Sequence, residues 1–175
     1  MSIFPESELD ECQSAVFFFC AAFGGRNDVI YAHKREMKDV VLNDIVEDKL
    51  NEMKNTYSSQ WEYIHGDAFE EAIRFSDEGR KFDLVSCDPF TGLESKVMRN
   101  HFLNFYNIAN KYMFCMITKN HWHSLGIDIT NTVQISSYLS SLHNLNINVS
   151  SIVKRSDFKG EGAEHSGVYW AVIKK

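Results

Sequence analysis

Short apolar runs and amphipathic stretches alternate along the whole chain. The run VFFFC at 16–20 is continuous, ends in Ala21-Ala22-Phe23-Gly24-Gly25, and predicts a buried strand. A helix through 7–23 is the competing expectation. Ahead of the run, Ser7-Glu8-Leu9-Asp10 predicts a short helix with Ser7 capping the amide of Asp10. Residues 27–37 are polar and helix-tolerant. Val40-Val41-Leu42 predicts a second strand, ending in Asn43-Asp44. Residues 45–56 predict a helix with Ile45, Leu50 and Met53 facing inward. Further strands are predicted at 61–64, 82–87, 112–117, 149–153 and 168–173, and further helices at 68–75, 94–110 and 130–143. In the helix at 94–110, Val97, Met98, Phe102, Phe105 and Ile108 form the apolar stripe. KRSDFKGEGAEHSG, between the last two strands, is polar, glycine-rich and too short for a convincing helix, so that pair reads as antiparallel. The alternation predicts an α/β fold. It is a three-layer α/β/α sandwich with a mostly parallel seven-stranded sheet and an antiparallel last strand. No repeat or linker divides the chain, so 1–175 reads as one domain.

Composition narrows the function. The 175 residues are 44% hydrophobic and 13% aromatic, enough for a real core. The net charge of -6 argues against a surface that grips phosphate all over, though Lys34-Arg35 and Lys154-Arg155 leave room for a local basic patch. Cys12, Cys20, Cys87 and Cys115 form no C-x-x-C pair and read as buried free thiols in a reducing compartment. MSIFPESELDE carries no basic region followed by an apolar stretch, so no signal peptide is expected. No apolar run approaches the roughly 20 residues of a membrane helix. The expectation is a soluble, cytoplasmic protein.

The chemistry gathers where the predicted strands end. In open parallel sheets, ligands bind outside the carboxyl ends of the strands. Those ends carry Ala-Ala-Phe-Gly-Gly, Asp44, Asp67, Asp88-Pro89-Phe90 and Thr118-Lys119-Asn120. The glycines let a backbone approach a ligand closely. Asp44 follows Gly24 at the spacing of a carboxylate that accepts from ribose hydroxyls. Asp67 is placed to accept from an exocyclic amine such as that of adenine. Each signal alone is also ordinary turn chemistry; together they describe a nucleoside site. Neither G-x-G-x-x-G nor G-x-x-x-x-G-K-S/T occurs, which points to an adenosine ligand without phosphate.

With those residues in hand, the chain resembles the class I S-adenosylmethionine-dependent methyltransferases over nearly its whole length. CAAFGG (20–25) resembles the loop that holds the methionine part of the cofactor, which implies Ala22, Gly24 and Gly25 as its contacts. VVLNDI (40–45) resembles the second strand, with Asp44 on the ribose and Ile45 against the adenine. HGDAF (65–69) resembles the segment in which Asp67 and Ala68 read the adenine edge. DPF (88–90) occupies the fourth-strand position, where the substrate reacts. The chain departs from the family at Phe18, where an acidic residue is usual, and at Ala22, where a glycine is usual.

The resemblance implies S-adenosylmethionine as cofactor and methyl transfer as reaction. DPF is similar to the Asn/Asp-Pro-Pro-aromatic motif of amino-methyltransferases, without its second proline. It implies an amino group of a nucleic-acid base as acceptor. Asp88 and the Pro89 carbonyl would accept from the NH2, and Phe90 would stack on the base. AAFGG is also similar to the A-A-P-G-G loop of ribose 2′-O-methyltransferases of RNA, which would make Asp88 and Lys119 the catalytic pair. The lysine and glutamate that complete that set are missing. The third reading, favoured by Phe18 and Ala22, is a degenerate binding or regulatory subunit. RNA or DNA is thus the expected partner, and short loops at 90–96, 119–128 and 156–166, or a protein partner, would supply specificity. Asn120-His121-Trp122-His123 offers too few ligands for zinc and reads as a loop over the substrate cleft, so no metal is expected. His165 has the chemistry of a base but nothing to position it, and Trp122 and Phe158 read as loop aromatics for a flat substrate.

Overall fold

A computed structural model describes residues 6–19, 27–88, 93, 96–154 and 167–175. Its strands are β1 (Ser14–Phe18), β2 (Asp39–Asp44), β3 (Glu62–His65), β4 (Phe82–Cys87), β5 (Ala109–Thr118), β6 (Asn148–Lys154) and β7 (Val168–Lys174). They form one sheet in the order β3-β2-β1-β4-β5-β7-β6. Pairings among β1 to β5 are all parallel, while β7 runs antiparallel to both β5 and β6. The helices are α1 (Glu6–Asp10), α2 (Asn27–Lys34), α3 (Glu47–Thr56), α4 (Ala68–Asp77), α5 (Lys96–Ile108), α6 (Lys119–Ser124) and α7 (Thr132–His143).

Period-two alternation divides the sheet into two buried faces. Val16, Phe18, Val41, Val85, Cys87, Met113 and Ile117 face α4, α5, α6 and α7. Ala15, Phe17, Val40, Leu42, Leu84 and Phe114 face α2 and α3. Both faces are covered, so the central strands read as unbroken apolar runs. Phe18 meets Phe105 edge-on at 5.0 Å and lies 6.3 Å from Phe75. Cys12, Cys87 and Cys115 are buried and form no disulfide. Burial, then the Asp83 carboxylate, pushes the Cys12 thiol up to about 12. At the amino edge of the sheet, Asp83 Oδ2 accepts from the Gln13 amide at 2.8 Å and pairs with Lys111 at 3.1 Å. These bonds tie the start of β1 to β4 and β5. Among the described residues, no helix is long and apolar enough to cross a membrane.

The 16–20 segment is a strand and not part of a helix, though it starts two residues early and ends at Phe18. Ser7 lies inside α1 and its hydroxyl donates to Glu8 Oε2 at 2.6 Å, not to the expected cap position. Ile45 is 67% exposed and precedes α3, whose inward side chains are Leu50 and Met53. Val97, expected in the α5 stripe, is 48% exposed, while Met98, Phe102, Phe105 and Ile108 are buried. Both misplacements come from apolar residues at helix starts, where periodicity has too few turns to fix a face.

Two helix ends hold stability in reserve. At the end of α2, the Met37 amide bonds the Ala32 carbonyl and the Glu36 amide bonds the His33 carbonyl, a Schellman turn with Glu36 at φ 54°. A side chain there strains the backbone; Glu36→Gly should stabilise the protein by about 1 kcal/mol in urea unfolding. At the end of α7, His143 stacks on Phe102 with ring centres 4.4 Å apart, and its Nε2 is buried without a partner among the described residues. Burial lowers its pKa. The folded state therefore holds the ring neutral while the unfolded chain takes up a proton near the ordinary value of about 6.5. Stability contributed this way is present above that value and is lost as pH falls below it. His143→Phe keeps the stack and removes the titration. Its melting temperature should fall less than that of the parent between neutral pH and about pH 5.

Candidate functional site

Strand register builds the site. Phe18 pairs with Asn43 of β2 on one side and with Cys87 of β4 on the other. Asp44 and Asp88, the next residues on those strands, therefore occupy matching rungs on either side of the β1 exit. At roughly 4.8 Å per strand their backbones are about 10 Å apart. Leu42 and Leu84 face α2 and α3, so alternation puts Asp44 on that same face, and Asp88 continues the phase. Asp44 is level with His65 of β3, and Asp67 overhangs two residues further on. The chain builds outward from β1 to β3, then returns to the other flank of β1 at β4. A crevice opens at the carboxyl edge where the order reverses.

Asp44 is 5% exposed. Its Oδ1 accepts from the Val46 amide at 2.9 Å, a turn that leads into α3 and turns Ile45 outward. Beside it, Asn43 Nδ2 donates to the carbonyls of Ile64 and Gly66 at 3.2 and 3.1 Å, which pins the β3 exit to β2. Asp67 caps α4, its Oδ1 accepting from the amides of Phe69 at 2.8 Å and Glu70 at 3.2 Å. No described residue donates to its Oδ2. Ala68 is buried beneath the cap. Buried acid next to exposed apolar surface suits a ligand with hydroxyls at one end and a flat ring at the other.

Three features of this edge escaped the sequence reading. Phe19 leaves β1 at φ 57°, a left-handed conformation that is unusual and strained for a bulky side chain. Ring contacts with Phe69 at 5.5 Å and Phe105 at 6.5 Å hold it. Asp28, in the first turn of α2, is fully buried; its Oδ2 accepts from Ser86 Oγ at 2.5 Å and its Oδ1 from the Val29 amide at 3.0 Å. It joins α2 to β4 two residues before Asp88. An aspartate at the start of a helix signals a cap, and nothing in its spacing points to Ser86. Gly167 has φ 53°, and a Cβ there would stand 3.1 Å from the Tyr169 ring and 3.3 Å from Lys119 Cβ. Only glycine lets β7 begin so close to α6, where the Lys119 amide bonds the Gly167 carbonyl at 3.0 Å.

The segment at 119–128 is not a loop throughout, because its first six residues form α6. Trp122 is fully buried and meets Tyr138 edge-on at 5.3 Å, so it belongs to the core and offers no surface to a flat substrate. Lys119 and His123, one turn apart on α6, are exposed. With Gly126, Ile127, Asp128 and Ile129 they line a cleft of about 380 Å³. Hydrogen bonds from Thr130, then the charge of Lys119, hold the Asp128 carboxyl below the usual range. Cys87 is level with Cys115, so Lys119 starts three residues beyond the level of Asp88, about 10 Å at roughly 3.3 Å per residue. Ala22, Gly24, Gly25, Pro89, Phe90, Phe158 and His165 lie outside the described residues.

No protein-family model and no curated protein sequence matches the chain. Solved structures do. A candidate S-adenosylmethionine-dependent methyltransferase from Streptococcus mutans superposes with a TM-score of 0.62 at 9% identity, covering 93% of this chain and 44% of that one. The Burkholderia thailandensis 1,6-didemethyltoxoflavin-N1-methyltransferase, solved with its substrate and S-adenosylhomocysteine, gives 0.63 at 11% identity, covering 99% and 77%. A candidate RNA methyltransferase from Pyrococcus horikoshii gives 0.56 at 14% identity, covering 97% and 79%. The chain thus spans less than half of the first of these proteins. At such identities the likeness is one of fold: this is the fold of class I S-adenosylmethionine-dependent methyltransferases.

The two hydrogen bonds that Asp67 Oδ1 accepts make it a helix cap independent of any ligand. Asp67→Ala should lower the unfolding free energy by about 1 kcal/mol while Asp67→Asn retains most of it, measured by urea denaturation.

Proposed function

We propose that the chain binds S-adenosylmethionine at the carboxyl edge of β1, β2 and β3 and transfers its methyl group to an amino group of a nucleic-acid base. The observation that carries this reading is the pair of rungs at Asp44 and Asp88, which flank the exit of β1. The fold is one whose solved members include proteins with S-adenosylhomocysteine bound.

The described residues fit the cofactor. Asp44 would accept from the ribose hydroxyls. Ile45, at 67% exposure beside that buried acid, would carry the adenine on its apolar face. Asp67, capping with one oxygen, retains the other for the adenine amine, with Ala68 beneath. Ala22, Gly24 and Gly25 would hold the methionine end. S-adenosylmethionine, when bound, supplies an electrophilic methyl carbon whose bond to sulfur breaks as the new bond to nitrogen forms. The protein's task is to orient the nucleophile. The Asp88 carboxylate and the Pro89 carbonyl would accept from the two N–H bonds of the target amine, which directs the nitrogen lone pair at the methyl. Asp88 would then receive the proton that the alkylated nitrogen sheds. Phe90 would stack on the base, worth about 1–3 kcal/mol. A base within a duplex must first be turned out.

A nucleic-acid substrate draws support from a neighbour of this fold described as an RNA methyltransferase candidate. The 2′-O reading asks Asp88 and Lys119 to meet at one hydroxyl, and the absence of the lysine and glutamate that complete its catalytic set favours the amino reading instead. A binding subunit would retain the fold and lose the cofactor.

Calorimetry with S-adenosylmethionine and S-adenosylhomocysteine tests the cofactor site; absence of both heat and thermal shift would sink the transferase reading. Asp44→Ala should weaken cofactor binding about 10- to 100-fold, the loss of charged hydrogen bonds. Asp88→Ala should leave cofactor binding intact and slow transfer of a labelled methyl to RNA by about 10²–10⁴-fold.

A further inference from the structure

The carboxyl edge of the sheet is divided by charge. Over β2 and β3 stand Asp44, Glu47, Asp48, Asp67, Glu70 and Glu71, of which Glu71 is paired with Arg74, while Lys49 pairs with Glu52. Over β4, β5, β7 and β6 the balance reverses. Lys96 and Arg99 open α5, which starts eight residues after Asp88; Lys119 and His123 lie on α6; Lys154 ends β6. All five are exposed, and Asp128 lies within reach of the Lys119 charge. None of Lys96, Arg99, Lys119 or Lys154 makes an ion pair with a described residue. At the opposite edge, Lys81, Lys111 and Lys175 are bonded to the backbone carbonyls of Asn107, Glu11 and Tyr106.

Register brings the two strand-end lysines together. Ile117 of β5 pairs with Tyr169 of β7, which pairs with Lys154 of β6. Lys154 therefore stands two strands from Ile117, about 10 Å at roughly 4.8 Å per strand, and Lys119 lies two residues beyond Ile117. On the Lys119 side opens the cleft of about 380 Å³ that Lys119 and His123 line with residues 126–129. In a chain of net charge -6, exposed cations that form no ion pair with a described residue make this half of the edge attractive to an anion, with Asp128 offsetting part of the Lys119 charge.

We propose that this half of the edge is a phosphate-binding rim for a single-stranded polynucleotide. Lys119, His123 and Lys154 hold the backbone over the β5–β7–β6 corner, and Lys96 and Arg99 continue the track toward Asp88. The inference rests on the transferase reading for its substrate, and it adds the surface that holds it. Acid over β2 and β3 repels the same backbone, so the strand is confined to one side of the crevice.

Anisotropy of a labelled short single-stranded RNA, across a salt series, tests the rim. Lys119→Glu with Lys154→Glu should weaken RNA binding at least about tenfold and reduce the slope of log affinity against log salt by about 1–2 units. Lys119→Gln with Lys154→Gln should act in the same direction with a smaller loss, which guards against a misfolded reversal. Lys38→Glu with Lys54→Glu, the same charge change at the other edge, should leave binding unchanged. Equal weakening by that control, or equal competition by polyglutamate and unlabelled RNA, would overturn the proposal. Calorimetry with S-adenosylmethionine separates the two readings. Cofactor binding without RNA binding refutes the rim alone. Rim-dependent RNA binding without cofactor binding supports the rim and counts against the transferase.

Discussion

The parallel pairing of β1 with β4 is the constraint on which the rest of the structure depends. β1 is the strand from which the sheet grows in both directions, and the four residues Ala15–Phe18 are registered against both of its neighbours. Phe17 and Phe18 fill opposite faces at full burial, so a slip of one residue would exchange their environments and move every rung at the carboxyl edge. Asp83, bonded to Gln13 and Lys111, secures the amino end of this pairing, and Asp28, bonded to Ser86, secures the other. Asp44 and Asp88 stand where they do because both strands are registered against β1. Their relation is a property of the sheet and not of the loops that follow.

The same edge separates two kinds of work. Its acidic half lies where a sulfonium cofactor would sit, and its cationic half lies where a phosphate chain would run. The boundary falls at Asp88, which lies between them. In an otherwise acidic protein such a division costs little stability, because exposed charges of one sign interact weakly across solvent.

Much of the fold was legible because the sheet is buried on both faces. Runs such as FDLVSC at 82–87 leave no other reading, and β4 spans those six residues. Chain order supplied the strand alternation, and the short polar 154–167 segment implied the antiparallel pair. The carboxyl-edge aspartates were legible because their spacing follows the strands. What stayed hidden depends on partners distant in sequence. Asp28 meets Ser86 across 58 residues, and Phe19 holds its conformation through Phe69 and Phe105. Trp122 reads as a loop aromatic because α6 has a single turn and a half of mostly polar residues, too brief for periodicity to show which side is buried. Ile45 and Val97 were placed inward by a pattern that begins before their helices do.

β7 lies between β5 and β6, and among the described residues β6 has no other strand beside it. When the chain is synthesised, β6 therefore emerges with nothing to zip against, and β5 with one flank bare, until the residues from Val168 onward appear. Loop closure over so short a separation is fast once both strands exist. Assembly of this flank thus waits for β7, and a ribosome that stalls before Tyr169 would leave two strand margins open to other chains.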